Sequence, residues 1–239
     1  MNTLRPTVES RGQASVAWLK GRTHSFYEDR YRMLCRGVPL VDQSARGEIF
    51  VVADGVSDAV RGMNAAQVVC DRVVDFYRIP VATGRHVATV HALLMSANSE
   101  IAGWGLDENG RAQGAAAASV AFLHGDQLTV FQVGDTLPLL VRDGSWWQLS
   151  NEVSPIRGLQ RYFGLEKLIL SSKTWTVQDG DRILLASDGL TRVAQTPNIA
   201  GIVADASSPK EAAQALANLA ARTTPDDVTV LVIEIELEV

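Results

Sequence analysis

The sequence has few of the features that mark secreted or membrane proteins. Only two of its 239 residues are cysteine, Cys35 and Cys70, and they have no paired metal-ligand spacing. A disulfide framework is therefore not expected, and both are predicted to be reduced core thiols. Residues 1–12 are polar and lack the apolar stretch of a signal peptide. No apolar run reaches the roughly 20 residues that span a bilayer. These absences predict a cytoplasmic protein with no membrane contact.

Positive charge is also sparse. The chain has 22 Lys and Arg against 27 Asp and Glu, a net charge of -5, and no block rich in Lys or Arg. Nucleic-acid-binding surfaces concentrate positive charge, so no nucleic-acid partner is expected. Hydrophobic residues make up 46% and charged residues 21%, as in ordinary globular proteins. The length suits one large domain, predicted over residues 14–239 after a flexible N-terminal segment, 1–13.

The order of predicted elements indicates an α+β fold. Runs rich in β-branched and aromatic residues predict strands at 15–20, 30–35, 48–53, 117–124, 127–133, 137–142, 146–149, 182–187 and 227–237. Apolar residues at three- and four-residue steps predict a helix over 87–101 and another around 213–220, and a helix containing Cys70 comes before both. We expect antiparallel sheets covered by helices, with a meander over 117–142 and a surface flap over 151–167.

Four aspartates stand at the ends of apolar strands. Asp54, Asp135 and Asp188 each follow such a run, and Asp226 comes just before one. If these strands are neighbours in two packed sheets, their carboxylates converge at one edge and repel each other unless cations neutralise them. Hard oxygen ligands without a Cys or His cluster favour Mg²⁺ or Mn²⁺ over zinc.

The segments GRTHSFYED, VVADG, VGDT, LLASDGL and DDVTVLV occur in that order between about residues 21 and 233. This ordered set resembles the metal-dependent, type 2C family of protein phosphatases, in its bacterial form. The resemblance implies a four-layer αββα sandwich of two mainly antiparallel sheets flanked by helices. It also implies a serine/threonine phosphatase in which a hydroxide bridging two metal ions attacks the phosphorus. The absence of a Cys-x5-Arg loop fits a route without a nucleophilic side chain.

Matching the motifs position by position implies the central metal ligands. Asp54 corresponds to the aspartate that bridges the two catalytic metals, and the carbonyl of Gly55 ligates one of them. Asp188 corresponds to the ligand of the other metal, and Asp226 to the final aspartate of the family. Asp227 occupies the position of the family's usual asparagine.

Three further carboxylates match the family's outer positions. Glu28 and Asp29 stand where the family has its first acidic pair, which contacts metal directly or through water. Asp135 matches the aspartate of a weaker third site in bacterial members. The resemblance therefore implies two or three Mn²⁺ or Mg²⁺ ions.

The sequence departs from the family pattern beside the expected phosphate site. His24 stands where the family usually has an arginine that contacts the substrate phosphate, so phosphate affinity is expected to be lower or to depend on pH. Arg22 is a candidate substitute, because arginine binds phosphate bidentately. Residues 56–59 and 152–154 also differ from the family's Gly-Gly-His and Asp-His-Ser stretches, which leaves the substrate range open.

The leading hypothesis is a monomeric enzyme that acts on a phosphorylated protein and reverses a cognate kinase, in bacterial signalling or secretion. The alternative is a pseudophosphatase that uses the same fold as a regulatory binding module. A third interpretation, hydrolysis of small phosphate esters, uses the same metal ligands. Catalytic roles are predicted for Asp54, Asp188 and His24.

Overall fold

A computed structural model describes residues 4–150 and 161–237. The strands are β1 Thr7–Arg11, β2 Ala14–Leu19, β3 Arg30–Leu34, β4 Glu48–Gly55, β5 Ala116–His124, β6 Gln127–Val133, β7 Leu137–Arg142, β8 Ser145–Gln148, β9 Ser171–Thr176, β10 Arg182–Ala186 and β11 Val228–Glu234. The helices are α1 Pro39–Asp42, α2 Gly62–Arg78, α3 His86–Ala102, α4 Asp188–Thr191, α5 Thr196–Asp205 and α6 Pro209–Ala220.

The strands form two antiparallel sheets that pack face to face. The first has the order β1-β2-β11-β10-β7-β8, and the second has the order β3-β4-β5-β6-β9. Helices α2 and α3 cover the outer face of the second sheet, and α4, α5 and α6 cover that of the first. This is the predicted αββα sandwich. The α+β fold class is confirmed.

Three apolar layers hold these elements together. Between the sheets lie side chains such as Phe50, Leu128, Ile183 and Leu231, each at most 1% exposed. The outer layers form against helices that bury one face, because their apolar residues recur at three- and four-residue steps. Within the described part of the chain, no helix is long and apolar enough to cross a membrane.

The predicted thiols lie in these layers as free, buried cysteines. Cys70 belongs to the core beneath α2, and Cys35 lies between the sheets. Burial raises the pKa of each thiol to about 12. Both side chains therefore remain protonated core residues at neutral pH, as expected.

One prediction of local structure is wrong. The expected meander over 117–142 fails, because β5 and β6 pair in one sheet while β7 and β8 pair in the other. The chain crosses between the sheets after β6, at Gly134 and Asp135. The flexibility of residues 1–13 stays a prediction; within that segment, Thr7–Arg11 form β1 and pair in register with β2, across a turn at Gly12 with φ +53. The flap prediction for 151–160, including 152–154, lies outside the described residues.

Candidate metal centre

The strand-end aspartates meet at one edge of the sandwich. Asp54 lies near the end of β4, Asp135 lies in the crossover after β6, and Asp188 begins the short helix after β10. Asp226 lies two residues before β11, which pairs antiparallel with β10, so the end of β10 and the start of β11 share one edge. Burial is the main cause that raises the pKa of Asp54 well above its usual value, and the charges of Asp29, Asp188, Asp135 and Asp226 raise it further.

Repulsion also affects the more open carboxylates. Burial and the charge of Asp188 raise the pKa of Asp135. The same two causes raise the pKa of Asp226, although Arg192 and His24 act in the opposite direction. The cluster therefore carries more negative charge than its own protein cations balance.

Asp29 is the most deeply buried member of the cluster, at 1% exposure. Its Oδ2 accepts a hydrogen bond from the Thr229 hydroxyl at 2.6 Å, and its buried Oδ1 has no hydrogen-bond partner among the described residues. Burial, with the charges of Asp227 and Asp188, raises the pKa of Asp29 to about 7 despite the Thr229 hydrogen bond. A buried oxygen without a partner is costly unless a cation or proton satisfies it.

Asp227 holds the loop that carries His24 and Glu28. Its two carboxylate oxygens accept the backbone N–H groups of Gly21, at 2.7 Å, and of Glu28, at 2.5 Å. Gly21 has no side chain to obstruct this contact, whereas a Cβ there would lie 2.4 Å from the Asp226 carbonyl carbon. The sequence comparison assigned Asp227 no function, and the structure shows it to be the residue that positions this loop.

His24 lies between carboxylates on both sides of its ring. Its Nε2 is 3.2 Å from Asp226 Oδ1, and its Nδ1 is 3.1 Å from Asp227 Oδ2. Burial is the largest influence on the pKa of His24 and lowers it, but the charges of Asp227, Asp226 and Glu28 outweigh burial and raise the pKa. Ser57, which the sequence analysis did not single out, donates to Glu28 Oε2 at 3.0 Å.

Arg192 is a second cation on the cluster, and the sequence analysis missed it. Its Nε and Nη2 donate to Asp188 Oδ2 at 2.9 and 2.6 Å, and its Nε lies 3.2 Å from Asp226 Oδ2. The available signal was spacing, because Arg192 follows Asp188 by four residues, which places both on one side of a helical turn.

The structure does not bring every predicted site residue to the cluster. The Arg22 guanidinium instead donates to the carbonyl of Ala221 at 3.2 Å.

Gly55 ends β4 in close contact with Gly62. A Cβ at position 55 would lie 2.6 Å from the Gly62 carbonyl carbon. A glycine at 55 therefore lets the backbone beside Asp54 pack directly against the start of α2.

The residues of the cluster fit a hard divalent cation chemically. The ligands are oxygens, and Asp29 offers a buried oxygen that has no hydrogen-bond partner among the described residues. Across residues 4–150 and 161–237, however, no three acidic, His or Cys side chains stand in metal-ligand geometry as they are. Asp188 and Asp226 instead hold Arg192, so cation binding requires these side chains to rearrange. An all-oxygen set of this kind suits Mg²⁺ or Mn²⁺.

Comparison with protein-family models identifies the family of this chain. The family model of Stage II sporulation protein E (SpoIIE) matches residues 50–236. The chain belongs to the SpoIIE family. Members have the type 2C-like phosphatase fold, which confirms the resemblance drawn from the sequence motifs. A search of curated proteins found no match to this SpoIIE-family chain.

Solved structures of bacterial phosphatases share the fold. The serine/threonine phosphatase PstP/Ppp of Mycobacterium tuberculosis is 22% identical, with a TM-score of 0.77 over 93% of this chain and 98% of that one. PppA, described as a key regulatory component of T6SS in Pseudomonas aeruginosa, is 23% identical, with a TM-score of 0.76 over 95% and 99%. A catalytic domain of PstP in complex with two manganese ions is 21% identical, with a TM-score of 0.77 over 94% and 98%. At these identities the likeness shows the fold alone.

Proposed function

We propose that this protein is a serine/threonine protein phosphatase that depends on two divalent cations, Mn²⁺ or Mg²⁺. The observation that carries the proposal is the convergence of acidic strand ends around a buried carboxylate oxygen of Asp29 that has no hydrogen-bond partner in the described part of the chain. Membership of the SpoIIE family and the fold shared with PstP, whose catalytic domain was solved with two manganese ions, support it.

The proposed cation ligands come from both sheets. They are the carboxylates of Glu28, Asp29, Asp54, Asp188 and Asp226 and the carbonyl of Gly55, with Asp135 at a weaker third site. When bound, such cations supply water of lowered pKa at neutral pH and neutralise charge on the phosphoryl group. No side-chain nucleophile is required of the chain.

The chain's own residues orient the substrate and balance charge. Asp227 accepts two backbone N–H groups and so holds the loop that presents His24 and Glu28 at the mouth of the site. His24 lies between Asp226 and Asp227, whose charges raise its pKa, and it contributes positive charge at the edge of the site. Burial of Asp29 excludes water from the inner side of the cluster.

The proposed substrates are phosphoserine and phosphothreonine in proteins. A cytoplasmic monomer that reverses a cognate kinase is the setting we propose, in signalling or secretion. PppA, which shares the fold, is described as a regulatory component of a secretion system, and this supports a regulatory pathway.

A pseudophosphatase that acts as a regulatory binding module is the second candidate. Two observations favour it: histidine replaces the family's phosphate-binding arginine, and Arg192 holds Asp188 and Asp226 in the absence of cations. The two functions differ in one respect, because a binding module has no turnover when metal is added.

Phosphate release from a phosphothreonine peptide tests the proposal. The purified protein is assayed in EDTA and then with added Mn²⁺ or Mg²⁺, beside p-nitrophenyl phosphate as a small ester. The proposal expects metal-restored turnover of the peptide, and its loss in Asp188→Asn but not in Asp205→Asn, which alters an exposed aspartate at the end of α5. Metal binding without turnover would favour the regulatory module, and turnover of the small ester alone would indicate a different substrate class.

A His24→Arg substitution tests the placement of the phosphate. An arginine at position 24 is expected to raise the affinity for inorganic phosphate, because a guanidinium donates two parallel hydrogen bonds and stays charged at all relevant pH values. Product inhibition by phosphate measures this affinity. Weaker inhibition in the variant would show that residue 24 does not face the phosphate.

A further inference from the structure

The Arg192 guanidinium lies at the mouth of the acidic cluster, on the side opposite His24. The two oxygens of Asp226 separate these groups: Oδ1 lies 3.2 Å from His24 Nε2, and Oδ2 lies 3.2 Å from Arg192 Nε. Two positive groups therefore flank one proposed cation ligand. Of the two, the better group for holding a phosphate is the one that has donors to spare and freedom to move.

His24 lacks the freedom to move, and its Nδ1, although it makes no hydrogen bond to a described residue, is buried. Its side chain is 15% exposed, and both ring nitrogens face carboxylates. Arg192 is different, because its side chain is 53% exposed and its Nη1 makes no hydrogen bond to a described residue. A guanidinium presents five N–H donors in a planar fork that matches two phosphate oxygens. Arg192 thus has both the reach and the unused donors.

The present partners of Arg192 are groups that it gives up when cations bind. Asp188 and Asp226 are proposed cation ligands. The hydrogen bonds to Asp188 are the largest cause that raises the pKa of the guanidinium, and the charges of Asp188, Asp226 and Asp135 act in the same direction. A divalent cation on these carboxylates replaces the charge that Arg192 now supplies. The arginine then remains beside the cations, without its carboxylates, at the position where a bound phosphate needs donors.

We propose that Arg192 is the phosphate-binding arginine of this protein and acts in place of the arginine that the family has at position 24. The proposal rests on the proposed function, since it requires cations at Asp188 and Asp226. It gives Arg192 two alternating partners, the carboxylate pair in the metal-free protein and phosphate oxygens in the metal-loaded protein.

Two affinities of Arg192→Gln, measured by calorimetry, test the proposal. Mn²⁺ should bind several-fold more tightly than to the wild type, because a competing cation is gone. Inorganic phosphate should bind the Mn²⁺-loaded variant about tenfold more weakly or worse, since a hydrogen bond to a charged group contributes about 1.5–3 kcal/mol. Arg192→Lys, which keeps the charge but not the fork, should fall between. A purely structural role for Arg192 would weaken both affinities together.

Arg78→Gln is the matched control. Arg78 is an exposed arginine whose guanidinium pairs with Asp75 three residues away, on α2, and it has no contact with the cluster. Both affinities should equal those of the wild type. In kinetic assays, Arg192→Gln should raise KM for p-nitrophenyl phosphate more than it lowers kcat.

Unchanged phosphate affinity in Mn²⁺-loaded Arg192→Gln would overturn the proposal, as would a parallel loss of Mn²⁺ affinity. A wild-type protein that binds no phosphate with Mn²⁺ present would also overturn it. Wild-type protein that binds Mn²⁺ and phosphate but hydrolyses no phosphopeptide would refute the proposed function alone, because the comparison with Arg192→Gln still decides the role of the arginine.

Discussion

Replacing Asp54 with asparagine should stabilise the metal-free protein. Asp54 is held among four other carboxylates, and its pKa is raised well above the usual value, chiefly by burial. A raised pKa in the folded state means that the fold binds more protons than the unfolded chain. Ionisation of Asp54 therefore does not affect the free energy of unfolding below the unfolded pKa of 3.8. Above that pH it lowers the free energy of unfolding by up to about 1.4 kcal/mol for each pH unit.

The size of the effect follows from that slope. At pH 7 the upper limit is about 4 kcal/mol, and charge sharing within the cluster reduces it to an expected gain on the order of 2 kcal/mol. For a chain of this size 1 kcal/mol shifts Tm by about 2–4 °C, so Asp54→Asn should raise Tm by about 4–8 °C in EDTA. The gain should vanish near pH 4.

Thermal unfolding followed by circular dichroism provides the assay, in EDTA and in excess Mn²⁺. Excess Mn²⁺ should stabilise the wild type, by about 2.7 kcal/mol at one hundred times Kd, and should stabilise Asp54→Asn less. Asp205→Asn, at an exposed position at the end of α5, should match the wild type in both conditions. A lower Tm for Asp54→Asn in EDTA at pH 7 would refute the argument that the cluster is held under repulsion.

Three further changes test other parts of the structure. The Tm of the metal-free wild type should fall as pH rises from about 4 to 7, because the pKa of Asp29 is raised from 3.8 to about 7 and the fold keeps a proton that the unfolded chain has already lost. A Tm that rises over this range in EDTA would contradict the assignment. Asp227→Ala should lower the free energy of unfolding by about 2–3 kcal/mol, since two backbone N–H groups lose a charged acceptor. An unchanged midpoint of urea unfolding would show that Asp227 does not hold the loop. Leu231→Ala should lower the free energy of unfolding by about 2–5 kcal/mol, because it opens a cavity between the sheets. A decrease of less than 1 kcal/mol in urea unfolding would indicate a loosely packed layer.

Local sequence signals were sufficient for the buried strands and for the aspartates at their ends. A run such as Ile49–Ala53 is apolar on both faces because it lies beneath a helix layer and against the other sheet, and the polar residue that follows it marks the edge. The acidic edge was therefore predictable once each strand was found. Asp54, Asp135, Asp188 and Asp226 all meet there.

Exposed elements and long-range contacts were not predictable in this way. The edge strands β1 and β9 are mostly polar and exposed, so their pairing depends on neighbours rather than on their own pattern. The turn after β6 has the composition of a hairpin, and only packing decides that it crosses to the other sheet. The contacts of Asp227 with Gly21 and Glu28 join positions about 200 residues apart, which no local pattern reveals.

Binding of Mn²⁺ to the purified protein, followed by electron paramagnetic resonance of the free ion, tests the central claim most directly. Addition of Mn²⁺ to metal-free protein should leave no free-ion signal until about two ions per chain are bound, and Asp54→Asn should bind fewer. A free-ion signal that grows from the first addition with wild-type protein, as it does in buffer alone, would contradict the assignment of this acidic edge as a metal centre.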